Sequence, residues 1–175
     1  MSSQLWAPWR IEYILKPRGQ GGCIFCAYAE HGPEQAQEDL VLHQGELAYV
    51  VLNRYPFAAG HLMVIPRRHC SDLTELTPEE HDALFRLVTR SCERLRRAVR
   101  ADGLNVGVNL GASAGAGIAE HLHVHIVPRW PGDTNFMPVL ADVRVMPQAL
   151  EATWRHLSPF FADLPGRAVP ALHDP

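Results

Sequence analysis

The sequence predicts an α+β fold in which an antiparallel sheet of about five strands packs with one long helix and one or more shorter ones. Three observations predict it. His121-Leu122-His123-Val124-His125-Ile126-Val127-Pro128 alternates imidazole and aliphatic side chains with the two-residue period of a strand. Leu104 to Leu110 alternates too, and only Gly111 to Gly117 joins the two runs, a link short enough for antiparallel neighbours. Thr77-Pro78-Glu79-Glu80 opens a long apolar-periodic stretch, as helix starts do.

The elements follow in chain order. Residues 1–22 carry Trp6, Trp9, Ile11, Tyr13 and Ile14 ahead of a Gly-Gln-Gly-Gly break, and read as an N-terminal arm that packs on the domain or on a partner. Leu40 to His43 and Leu47 to Leu52 are strand-like. Asn53 to Gly60 is a loop punctuated by Pro56 and Gly60, and His61 to Pro66 is a third strand. In the long helix Thr77 is the N-cap, Pro78 the first helical residue and Glu80 the partner in a capping box. Leu84, Leu87, Val88, Leu95 and Val99 then recur at helical spacing until Asp102-Gly103, with Arg86, Arg90, Arg94, Arg97 and Arg100 on a solvated outer face. The fourth strand, Leu104 to Leu110, puts Asn105, Gly107 and Asn109 on one face. After the histidine strand come a polar loop, a short segment from Val143 to Met146 and a helix from Pro147 to about Leu157. A proline-rich, loosely ordered tail follows from Pro159.

Composition narrows the class. A chain of 175 residues with 47% hydrophobic content suits one soluble domain with an adequate core. A net charge of −3 gives no general attraction to nucleic acid or to an anionic membrane. No apolar run approaches the roughly 20 residues that span a bilayer, and Met1 to Arg10 lacks a secretory apolar core. The cytoplasm is the expected location. Four cysteines make no disulfide scaffold, and Cys23-Ile24-Phe25-Cys26 reads as a metal knuckle, zinc being favoured, or else as buried thiols beside an aromatic.

The histidine strand carries the chemistry. All three imidazoles face one way while Leu122, Val124 and Ile126 enter the core. Such a shelf suits metal binding, proton transfer or nucleophilic attack, the plain alternative being a polar face on an edge strand. Spread over about 14 Å of extended backbone, the three do not converge on one tetrahedral ion, and at most two share a metal. The preceding glycine loop offers backbone N–H groups near Gly115 and Gly117 that cradle phosphate oxygens, the plain alternative being a hairpin link.

These residues resemble the histidine triad superfamily. Asn53-Arg-Tyr-Pro-Phe-Ala-Ala-Gly-His61 is similar to its Asn-Arg-x-Pro segment ending in Gly-His, and Pro66-Arg-Arg-His69 to its Pro-x-x-His. The runs from Asn109 to Ile118 and from Arg129 to Phe136 resemble the branch that contains bacterial diadenosine tetraphosphate phosphorylases. The resemblance implies a nucleotidyl hydrolase or transferase that cleaves dinucleoside polyphosphates through a nucleotidyl-histidine, with phosphorolysis of diadenosine tetraphosphate to ADP and ATP the expected reaction. It makes residues 23–158 the catalytic domain, between the arm at 1–22 and a tail at 159–175. It implies His123 as nucleophile, His125 at the phosphate oxygens or the departing group, and His121 in support. Asn53 and His61 would line the nucleoside side, and Asn109, Ser113, Gly115, Gly117 and Ile118 the phosphate side. Cys23, Cys26, His69 and His121 would hold a structural zinc, a closed set of two thiolates and two imidazoles, and the chemistry would need no catalytic metal. Relatives pair, so a homodimer or larger homo-oligomer is implied.

One departure stands out. Many members carry glutamine shortly before the first triad histidine, where this chain reads Gly115-Ala-Gly-Ile-Ala-Glu120, so that residue's role does not transfer. The rival readings are a purine nucleoside phosphoramidase with the same nucleophile, a nucleotide-binding protein without turnover, and a metal-dependent hydrolase. Trp130 and Phe136 suit packing before base stacking. Asp133 and Asn135 suit loop ordering or substrate contact, while His31, His43, His81, His156 and His173 read as surface residues.

Overall fold

The structure is a computed structural model and describes residues 22–133 and 149–166. The expectations for Trp6, Trp9, Asn135, Phe136, His173 and the segment from Val143 to Met146 lie outside the described residues. Two short helices come first, α1 (Ile24–Glu30) and α2 (Ala36–Asp39). They lead into β1 (Val41–Gln44), β2 (Ala48–Leu52) and β3 (Leu62–Pro66). The long α3 (Pro78–Val99), β4 (Gly103–Val108), β5 (Val124–Arg129) and α4 (Leu150–Leu157) complete the order.

The five strands form one antiparallel sheet in the order β1-β2-β3-β5-β4. β2 and β3 are buried along their whole length. α3 packs across β2, β3 and β5, and its Leu84, Leu87, Val88 and Leu95 share one buried core with Leu62, Val64, Val124 and Ile126. Each fully buried side chain of this kind contributes about 1.5–3 kcal/mol. The helix start is as the sequence spells it: the Glu80 N–H donates to the Thr77 hydroxyl, and the Thr77 N–H to the Glu80 carboxylate. Arg68 also donates two bonds to that carboxylate, and these hold Glu80 down to about 2.

Five expectations need correction. α3 ends at Val99 rather than at Asp102-Gly103, because Arg100 takes the left-handed conformation (φ 50°) and Gly103 already belongs to β4. Arg94 is not on the solvated face: its side chain is 12% exposed and pairs with Asp163 at 2.8 Å. His43 is buried, and burial first and Arg94 second push it down to about 4. The packed body also runs past residue 158, since Phe161 and Leu164 are buried in the core, while Trp154 donates its indole N–H to the Val41 carbonyl. The last helix starts at Leu150, not Pro147.

Candidate active site and metal cluster

The histidine strand is shorter than its alternation suggests. β5 starts at Val124, so His121 and His123 lie on the extended approach to it and only His125 is a strand residue. Leu122, Val124 and Ile126 do enter the core. The imidazoles are not an open shelf, because His121 and His123 are themselves buried, with the Phe25 ring edge-on to both at 5.6 and 5.3 Å. His125 sits between Met63 of β3 and Gly107 of β4 in the sheet register. The absence of a side chain at Gly107 leaves open space beside it.

Hydrogen-bond partners assign each imidazole a tautomer. His123 Nδ1 lies 2.8 Å from the His121 carbonyl and can only donate to it. Its Nε2 therefore carries the lone pair, as a nucleophile requires. His61 Nδ1 accepts from the Phe57 N–H at 3.1 Å and is 3.3 Å from Asn53 Nδ2. The Tyr55 N–H donates to Asn53 Oδ1, which turns the Asn53 amide nitrogen toward His61. His61 Nε2–H then donates to His125 Nδ1 at 3.0 Å, leaving His125 with an Nε2–H donor. One imidazole presents a lone pair and its neighbour an N–H donor.

Burial favours the uncharged forms. It lowers His123 below the ordinary histidine value, and with the neighbouring His123 it brings His125 down to about 4. Both are neutral at pH 7.

His123 and His125 open onto a cavity of about 630 Å³, within the range of small-molecule sites. Asn109, Gly115, Gly117 and Ile118 line it, as does Asn53. His61 does not: it is fully buried, and its Nε2 meets His125 Nδ1 at 3.0 Å. Ser113 lies on a single 3-10 turn, Ala112–Ala114, and neither it nor Glu120 is among the lining residues. The Gly115 N–H is used within that turn, donating to the Ala112 carbonyl at 3.0 Å, so it is not the phosphate donor the glycine spacing suggested. Gly115 instead serves by its φ of 90°, which turns the chain back toward the histidines.

Sequence reasoning missed much of the wall. Ile24, Phe25 and Tyr28 of α1, Asp39 of α2, and Arg54 and Phe57 of the β2–β3 loop all line the cavity. Asp39 is buried and paired with His31 at 2.5 Å, so His31 is no idle surface residue. Phe25 had a signal, since it sits between the two knuckle cysteines. Trp130 packs as expected, its indole N–H reaching the Val99 and Arg100 carbonyls. Asp133 orders its loop by accepting from Arg129 and from the Trp130 N–H.

Cys23, Cys26, His69 and His121 converge beside this cavity, their ligand atoms all within 4.8 Å of one another. Cys23 Sγ is 3.3 Å and Cys26 Sγ 3.6 Å from His121 Nδ1, and Cys26 Sγ is 3.3 Å from His69 Nδ1. A tetrahedral ion with ordinary Zn–S and Zn–N bonds separates sulfur from nitrogen by about 3.5 Å. His121 Nε2–H donates to the Pro66 carbonyl, which leaves Nδ1 as the free ligand atom. These residues can hold a metal ion. Without one, burial first and Cys23 second raise Cys26 to about 11, so an ion would bind by displacing protons.

Comparison with known proteins agrees with this geometry. The family model described as the HIT domain matches residues 34–132. An AP-4-A phosphorylase of Mycobacterium tuberculosis is 40% identical over 167 residues, covering 93% of this chain and 86% of that protein. The asymmetrical bis(5'-nucleosyl)-tetraphosphatase of Schizosaccharomyces pombe is 34% identical over 93 residues, covering 53% of this chain and 50% of its own length. Among solved structures, a Zn-bound histidine triad family protein from Mycobacterium smegmatis aligns with a TM-score of 0.64 at 28% identity. It covers 82% of this chain and 96% of its own.

Proposed function

This chain belongs to the histidine triad (HIT) family, and from that premise we propose that it is a nucleotidyl-transferring enzyme that cleaves diadenosine tetraphosphate by phosphorolysis to ADP and ATP. The observation that carries the chemistry is the His123 tautomer: Nδ1–H held by the His121 carbonyl, Nε2 free and neutral above the cavity. The likeness to the mycobacterial phosphorylase over 93% of this chain supports the substrate.

In the first step His123 Nε2 attacks the phosphorus of one nucleotidyl group, a P–N bond forms, and the P–O bond to the rest of the substrate breaks. The imidazole becomes cationic, and the His121 carbonyl on Nδ1–H stabilises it. His125 Nε2–H donates to the oxygen on which charge develops, and the His61 contact at its Nδ1 fixes the ring for that task. Asn109 and the backbone from Gly115 to Ile118 flank the phosphates. In the second step inorganic phosphate attacks the same phosphorus, and the electron pair of the P–N bond returns to Nε2.

Zinc is the ion we assign to Cys23, Cys26, His69 and His121, since a closed set of two thiolates and two imidazoles is a structural site. When bound it pins α1 to the approach to β5 and supplies no reaction step. We assign the catalytic unit to residues 23–164, with the arm at 1–22 outside it, a homodimer as the assembly and the cytoplasm as the location. β4 is an edge of the sheet, with Val106 48% exposed, and this supports pairing there. Among the described residues no helix is long and apolar enough to cross a membrane.

Anion-exchange analysis of products from diadenosine tetraphosphate, with and without inorganic phosphate, tests the reading. ADP plus ATP formed only with phosphate is the expected result. Cleavage independent of phosphate would make the enzyme a hydrolase, and no cleavage would refute the substrate.

A further inference from the structure

Sheet order sets the length of the cavity. Asp39 comes just ahead of β1, Asn53 just after β2 and His61 just ahead of β3, while His125 lies in β5, so the four stand near the same end of four successive strands. The Leu52 N–H donates to the Leu40 carbonyl at 3.0 Å and the Asn53 N–H to the His61 carbonyl at 2.9 Å, which fixes the row. Neighbouring strands lie about 4.8 Å apart, so three spacings put Asp39 about 14 Å from His125 across the sheet. Both line the cavity, and Leu52 of β2 and Met63 of β3 supply apolar lining between them. Asp39 is only 8% exposed, and His31 Nδ1–H holds its Oδ2 at 2.5 Å. Among the described residues no hydrogen bond reaches its Oδ1. The Arg54 guanidinium donates to the Glu38 carbonyl at 2.7 Å and so anchors the end of α2 that carries Asp39.

We propose that Asp39 Oδ1 accepts the exocyclic amino group of the substrate's base, and so selects adenine over a base that carries a carbonyl oxygen there. The inference rests on the nucleotidyl-transfer reading above. A nucleotide with its phosphorus at the histidine end lies along the cavity, and the span to Asp39 decides which part of it the carboxylate meets. The ribose hydroxyls, one sugar ring from phosphorus, fall short of a group about 14 Å away, whereas the base beyond them reaches it. A carboxylate only accepts hydrogen bonds. An amino group therefore satisfies Oδ1, while a carbonyl oxygen in the same place is repelled and leaves a buried charge without a donor. His31 is the positioning residue, because its bond to Oδ2 turns Oδ1 to the cavity.

The test compares diadenosine tetraphosphate with diinosine tetraphosphate, in which a carbonyl oxygen replaces each amino group. Values of kcat/KM are measured on the full-length wild type, Asp39→Asn, Asp39→Ala and His31→Ala. Wild type prefers the adenine dinucleotide about 10- to 100-fold, the range for one hydrogen bond to a charged group. In the isosteric Asp39→Asn, His31 keeps the amide oxygen and the amide nitrogen takes the place of Oδ1, where it donates to the inosine carbonyl. The preference is then abolished or reversed, chiefly through KM. Asp39→Ala abolishes it without reversal, and His31→Ala reduces it. Equal losses on both substrates in Asp39→Asn would assign the residue to the ribose or to the fold and overturn the proposal, as would a preference that survives both Asp39 variants. Cleavage of both dinucleotides by wild type without preference would overturn the proposal alone. A wild type that cleaves neither would remove the nucleotidyl-transfer reading, and the proposal with it.

Discussion

The His121 backbone carbonyl accepts the Nδ1–H of His123 at 2.8 Å, while the ring of the same His121 turns its own Nδ1 to Cys23 and Cys26. One residue therefore joins the candidate metal cluster to the proposed nucleophile. The Leu122 N–H bond to the Cys70 carbonyl at 2.7 Å ties the segment to the chain just after His69, so the approach to β5 is held on both sides of Leu122. Under the proposed mechanism, a metal held by the cluster would help fix where His123 sits.

Removal of the ion is accordingly expected to act first on stability. Chelation should lower the thermal midpoint by about 10 °C, as the loss of a few kcal/mol does in a domain of this size. Activity at 25 °C should decline in step with unfolding rather than at once. Cys26→Ser should reproduce the shift. Metal analysis with calorimetry checks it, and an immediate loss of turnover in protein that remains folded would assign the ion a catalytic role.

In the proposed mechanism His61 acts through His125, whose Nδ1 it meets at 3.0 Å. His61→Phe fills the buried site but removes the Nε2–H donor, freeing the His125 ring to turn or to change tautomer. We expect kcat to fall by about 10²-fold, the lower part of the range for losing an aligned proton donor, with KM little changed. His61→Gln, which restores a donor, should recover part of the loss. Steady-state kinetics of the two variants decide it, and a pure KM effect would place His61 in binding instead.

Acid should weaken the fold through His43. Its folded value of about 4 lies below the unfolded value near 6.5. Between those limits the unfolded chain takes up a proton that the folded chain refuses, so stability is intact above pH 6.5 and drops as pH falls toward 4. From pH 6.5 to 5 this one residue costs on the order of 2 kcal/mol. Urea titrations of wild type and His43→Leu should show the flatter pH dependence in the variant, and parallel curves would contradict the assignment.

Thr77→Ala removes the N-cap of α3 and leaves Glu80 with one fewer partner in the capping box. A loss of about 1 kcal/mol is expected, read as a fall in the midpoint of roughly 2–4 °C, with kcat unchanged. The helix carries no cavity-lining residue.

Much of this was legible in the chain. Thr77 to Glu80 fixes a helix start because capping is local, and the alternation at Leu122, Val124 and Ile126 reports burial because a strand has period two. The cluster of Cys23, Cys26, His69 and His121 followed from family resemblance, since residues up to 98 positions apart meet only through the fold. What the sequence concealed is tertiary. His61 reads as a pocket residue until β3 pairs with β5 and carries it behind His125. Ser113 and Gly115 read as phosphate ligands until the loop closes a turn upon itself. His43 has no pattern around it, and only the fold reveals the burial that chiefly lowers it, with the charge of Arg94 second.

The most direct test of the account is intact-mass analysis of enzyme mixed with diadenosine tetraphosphate, without inorganic phosphate, and quenched in denaturant within milliseconds to seconds. The account predicts a mass increase of one adenylyl group, mapped to His123 and discharged on adding phosphate. It also predicts that the adduct is absent from His123→Ala, whose turnover falls by at least about 10⁴-fold. Turnover retained in His123→Ala, or an adduct mapped to another residue, would contradict it.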